Sequence, residues 1–166
     1  MPNWCEGNIR FRGKKKDIKN FLMNEIIICD YVNDDLVEYK PIIEDLGYEL
    51  YILKNSIRPF YIKNTHRNFI ETDCIQIFFE EEDDEKETVV CIDHYRTAWS
   101  FTNNKERWKD IVQKYHFDVK MVGFEKGMCF SQTVTLHRNG EVEEQYRKFD
   151  GDDDWMWNAD FPNYGG

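Results

Sequence analysis

The sequence predicts an α+β fold: an antiparallel sheet with two helices on one face, in the order β-α-β-β-α-β, and a β-hairpin added at the end. Three observations predict it. The opening stretch alternates, with Cys5, Gly7, Ile9 and Phe11 on one parity and Trp4, Glu6, Asn8, Arg10 and Arg12 on the other. Trp108, Ile111, Val112 and Tyr115 stand at i, i+3, i+4 and i+7, a helical stripe suited to packing on a sheet. Two strand-like runs flank Arg138-Asn139-Gly140-Glu141, which reads as the turn of a hairpin.

Taken in order, Gly13 closes the first strand and a helix follows at once. Ile18, Phe21 and Leu22 give that helix its core face, and Lys14, Lys15, Lys16 and Lys19 solvate the other side. Residues 26–29 end the helix or begin an extended piece. Residues 30–48 have no clean period, and Asp34, Asp35, Pro41, Glu44, Asp45 and Gly47 suggest an irregular insertion, reaching from about 30 to 57. Residues 48–53 and 59–63 are short strand candidates. Ile75, Ile77 and Phe79 share one face of a clearer strand, expected to pair as a hairpin with residues 88–95. Between them, residues 80–87 carry seven carboxylates and one lysine, the composition of a turn or loop. Asn103 or Asn104 caps the second helix, and residues 117–124, 128–137 and 142–146 complete the strands. In the final hairpin, a two-residue Asn139-Gly140 loop would put Leu136 and Val142 on opposite faces. A three-residue loop ending at Gly140 sets them opposite each other, and the half-buried face favours that register. Residues 150–166 form an acidic, aromatic tail. No linker or repeat divides the chain, so one domain spans residues 1–166.

Charge is the most informative total. Twenty-two Lys and Arg stand against thirty-two Asp and Glu, a net charge of -10. Such a surface repels nucleic acid and anionic membranes over most of its area. The partners it admits are basic proteins, cations, or a ligand held in a local exception. Five cysteines, an odd number without a CxxC pair, read as reduced thiols of a cytosolic protein. No apolar run approaches the ~18–20 residues of a membrane span.

Known chemistries find little support in the spacing. His66, His94, His116 and His137 form no zinc motif. Residues 150–161 fail as a calcium loop, with Trp155 where glycine is needed and Phe161 where glutamate is needed. There is no phosphate-binding loop, dinucleotide fingerprint or nucleophile elbow. No cofactor is expected. Two groups of residues remain. The lysines near the first helix start, Lys14, Lys15 and Lys16, together with Arg10 and Arg12, form either a solvated face or an anion site. With Met1 removed, Pro2 would present a secondary amine able to act as a base, an arrangement similar to that of tautomerases, with Arg10 or Arg12 holding the anion.

The opening Met1-Pro2-Asn3-Trp4-Cys5-Glu6-Gly7-Asn8 resembles the start of the YubB-like proteins of phages, prophages and plasmids. Thr97-Ala98-Trp99-Ser100, Phe124-Glu125-Lys126-Gly127-Met128-Cys129-Phe130 and Phe161-Pro162-Asn163-Tyr164-Gly165-Gly166 agree with it in order. Phe101 stands where better-known members have proline. The resemblance implies a ferredoxin-like core with extra strands and a mobile-element origin, and no catalytic residues. It makes a non-enzymatic binding protein the leading expectation, one that covers a basic, nucleic-acid-binding surface of a host defence nuclease as an anti-CRISPR or anti-restriction inhibitor. The residues expected to do so are Glu80, Glu81, Glu82, Asp83 and Asp84 in one cluster, and Asp152, Asp153 and Asp154 beside Trp155 and Trp157 in the other. The alternative is a small-ligand site or small enzyme built on Pro2, Arg10, Arg12, Lys14, Lys15 and Lys16.

Overall fold

The computed structural model describes residues 3–32, 35–65, 67–80 and 82–165. In chain order these form β1 (Trp4–Lys14), α1 (Lys15–Glu25), β2 (Ile26–Val32), β3 (Asp35–Tyr39), β4 (Ile42–Asp45), β5 (Glu49–Leu53), β6 (Phe60–Ile62) and β7 (Asn68–Ile70). There follow β8 (Cys74–Phe78), β9 (Glu87–Ala98), a 3-10 turn (Phe101–Asn104), α2 (Lys105–Tyr115), β10 (Asp118–Glu125), β11 (Phe130–Leu136), β12 (Val142–Lys148) and α3 (Gly151–Asn158).

The opening alternation is realised: Cys5, Ile9 and Phe11 are at most 1% exposed, while Arg10 and Arg12 face solvent. β1 lies mid-sheet, antiparallel to β10 on one edge and β9 on the other. Gly7 permits that closeness, because a Cβ there would lie 1.8 Å from the Val122 carbonyl oxygen. Between Gly7 and Ile9 a bulge shifts the β9 pairing by one residue, two steps along β1 spanning three along β9.

The expected two-helix, ferredoxin-like α+β plan is corrected by the rest of the topology. The described residues are mostly β, with a nine-stranded antiparallel sheet ordered β12-β11-β10-β1-β9-β7-β6-β2-β3 and a three-stranded sheet ordered β4-β5-β8. A ferredoxin-like core would set β2 beside β9, but β6 and β7 stand between them. A third helix, α3, follows the hairpin. The stretch expected to be an irregular insertion holds β3 and β4 as well as β5, which matches the strand candidate at residues 48–53. β3 and β4 have five and four residues, too few for a period to emerge. The hairpin expected between residues 74–79 and 88–95 does not form either. β1 takes one edge of β9 along its length, β7 joins the other edge only at Tyr95, Arg96 and Thr97, and β8 pairs with β5 in the separate small sheet.

One face of the large sheet, α1, α2 and the small sheet share a single apolar core. At its centre the Phe11 ring lies 5.2 Å from Phe21, 5.3 Å from Phe117 and 6.4 Å from Trp108. Glu25 ties the helices together, accepting hydrogen bonds from Arg107 (2.8 Å), Lys114 (2.8 Å) and Tyr115 (2.7 Å). A second, smaller core of Phe124, Cys129, Phe149 and Trp155 lies on the opposite face, since Phe124 has the opposite parity to Val119 and Met121 on β10.

The final hairpin adopts the three-residue loop. Leu136 stands opposite Val142, Gly140 has φ +90°, and the His137 amide donates to the Glu141 carbonyl at 2.9 Å. Asp118 anchors this loop, accepting from the Arg138 amide (2.9 Å) and from the guanidinium groups of Arg138 and Arg12. Burial alone would push the Asp118 carboxyl up, but these bonds outweigh it and hold it down at about 2. Its stabilising effect is therefore present above about pH 4 and lost as pH falls from about 4 to about 2. At pH 6, Asp118→Asn is expected to be about 2 kcal/mol less stable than the wild type in urea melts. That gap should shrink at pH 2.5, and an equal gap at both pH values would rule the ion-pair role out.

Candidate functional site

Parts of two sequence-predicted sites meet, the lysines of one pairing with Asp84 and Glu85 of the acidic loop. The acidic loop lies against the start of α1, where the Lys15 amide donates to the Lys86 carbonyl (3.0 Å) and the Lys16 amide to the Asp84 carbonyl (3.1 Å). Lys14 pairs with Glu85 at 2.9 Å, Lys16 also pairs with Glu85, and Lys15 pairs with Asp84 at 3.3 Å. The Lys15 ammonium also donates to the Glu82 carbonyl at 3.2 Å. Lysines are unfavourable at a helix start, and free amides there need acceptors. The loop supplies both carboxylates and carbonyls. Hydrogen bonds from Lys16 and Lys14 lower the Glu85 carboxyl below its ordinary range. Glu80, Glu82 and Asp83 are exposed, and Glu81 lies outside the described residues. Asp83 also accepts from the Glu85 amide of its own loop at 2.9 Å.

Arg10 and Arg12 belong to a different surface, the solvent-facing side of β1. Arg12 forks onto Asp118 at 2.8 and 3.0 Å. Arg10 stands directly opposite Lys120 of β10. Together with Val89, Thr135, His137 and Glu143 these residues line a groove of about 350 Å³. Pro2 lies outside the described residues.

The acidic aromatic tail is an ordered module. Phe149 meets the Trp155 ring edge-on at 5.1 Å, and the Trp155 indole N–H donates to the Pro162 carbonyl at 2.7 Å. Phe161 and Tyr164 pack on Phe124 at 5.1 and 6.2 Å, laying the tail across the sheet. The Gly165 amide reaches Glu6 at 3.4 Å. Trp155 is fully buried, so it holds the module in place and is not a surface anchor. Trp157, two residues on, points about 200° away around the helix and is 87% exposed. Met156 and Phe161 are half-exposed beside it in sequence. Among the predicted carboxylates, Asp154 accepts from the Asp150 amide (2.7 Å) and Asn158 (2.6 Å), which lowers its carboxyl. Asp152 accepts from the Cys129 thiol at 3.6 Å, and Asp153 is exposed.

All five thiols are pushed up, burial being the largest cause for each, so none is a ready thiolate nucleophile. Among the described residues no group of three His, Cys, Asp or Glu could hold a metal ion, and no helix is long and apolar enough to cross a membrane. Lys120 and Thr135 escape sequence reasoning as site residues because only the cross-strand register brings them beside Arg10. Comparison with family models, curated proteins and solved structures returns no match.

Proposed function

We propose that this is a non-enzymatic binding protein whose C-terminal module docks on a basic surface of another protein, of the kind that holds nucleic acid. The carrying observation is Trp157, 87% exposed on a helix whose first turn holds Asp152, Asp153 and Asp154. Residues 149–166 contain five carboxylates and no lysine or arginine, half of the net charge of -10. Aromatic side chains dominate interface energies, and carboxylates around them steer a basic partner and set its orientation. Burial of Trp155 orders the helix before contact, which reduces the entropy lost on binding. The loop at residues 80–87 is a weaker candidate, because Lys14, Lys15 and Lys16 already engage it. The likeness of the opening residues to phage and plasmid proteins directs the search to a defence nuclease in the host cytosol, inhibited at its nucleic-acid groove.

Affinity capture from a bacterial lysate, followed by binding assays on the captured protein, tests this. Trp157→Ala should weaken binding by about thirtyfold or more, mainly through faster dissociation. Asp152→Asn with Asp153→Asn should slow association and flatten its salt dependence. A partner held equally well by both variants would place the binding surface elsewhere.

A further inference from the structure

The open face of the sheet carries a local exception to the chain's acidity. Arg10 and Lys120 are exposed cross-strand neighbours, directly opposite on β1 and β10. Like charges so placed repel one another. The chain has ten carboxylates in excess, yet neither residue has a carboxylate partner among the described residues. Arg10 donates to Asn8 at 3.0 Å. Of the two acids that border the groove, Asp118 is held by Arg12 and Arg138, and Glu143, opposite Thr135 on β12, lies 3.1 Å from the His137 ring. Arg12 is thereby held two residues from Arg10 on the same face. Thr135 is the next cross-strand neighbour of Lys120 and brings a hydroxyl to the rim. Val89, 64% exposed, forms an apolar wall.

We propose that this groove binds a small phosphate-bearing ligand, with Arg10 and Lys120 on the phosphate oxygens and Thr135 as a further donor. An arginine fork beside a lysine point charge suits a dianion better than a single carboxylate. A groove of about 350 Å³ has room for a small molecule. Nucleic acid fits less well, because the field of a chain carrying -10 opposes a polyanion but not a compact ligand seated between two cations. This site is independent of the C-terminal docking surface.

The test is a two-dimensional amide NMR titration of the full chain with inorganic phosphate and with pyrophosphate, ionic strength being held constant with sodium chloride. Saturable shifts are expected at Arg10, Lys120 and Thr135, tighter for pyrophosphate. Lys120→Gln and Arg10→Gln should each weaken binding about tenfold or more. Without ligand, Lys120→Gln should melt about 1–3 °C higher, since the repulsion is gone. Phosphate should then raise the melting temperature of the wild type and not of the variant. Shifts that never saturate, that spread over the other surface lysines, or that persist in both variants would overturn the site. A single-stranded oligonucleotide binding the same residues more tightly than pyrophosphate would overturn the ligand class.

Discussion

Phe11→Ala is expected to lower stability by about 3–5 kcal/mol. Phe11 is 1% exposed on the middle of β1, with Val90 and Val119 as its cross-strand neighbours and Phe21, Phe117 and Trp108 over its ring. Strands pin it on both sides and helical side chains cover it, so the cavity left by alanine has little freedom to collapse. The urea midpoint should fall with an unchanged slope. Val89→Ala, on the exposed face of the adjoining strand, should stay within about 0.5 kcal/mol. A loss below about 1 kcal/mol for Phe11→Ala would remove it from the core.

Trp155→Ala should be nearly as costly, about 3–5 kcal/mol where the loss is measured, but confined to one part of the molecule. Its contacts lie in the small core of Phe124, Cys129 and Phe149, and its indole N–H holds the Pro162 carbonyl. Hydrogen exchange should show lost protection over residues 149–165 while β1, β9 and β10 remain protected. Partner binding should disappear with the module. Trp157→Ala should instead leave exchange unchanged and affect binding alone. Equal loss of protection in β1 and in α3 after Trp155→Ala would mean that the two cores unfold as one unit.

What the sequence disclosed depended on the range of the interactions concerned. The face pattern of residues 5–11 is local, and so is the competition between turn chemistry and burial that sets Leu136 opposite Val142. Both were legible. The strand order was not, because β6, expected as a strand, and the three-residue β7, which carries no period, join β2 and β9 far away in sequence. The site followed the same rule. The lysine run and the carboxylate run were each visible, but nothing local showed that Lys16 would close on Glu85. Trp155 and Trp157 looked alike in the sequence. An eight-residue helix is too short for periodicity to separate the buried ring from the exposed one.

The central place of β1 also constrains how the chain can assemble during synthesis. β1 leaves the ribosome well before β9 and β10, yet its backbone donors and acceptors on both sides are satisfied only by them: Phe11 waits for Val90 on one edge and Val119 on the other. Until then the nascent chain carries a strand with two open edges and an apolar face. Such non-local closure favours slow folding and leaves time for pairing with another chain. The charged side chains along β1, Arg10, Arg12 and Lys14 among them, are placed where they oppose that encounter by repulsion between copies.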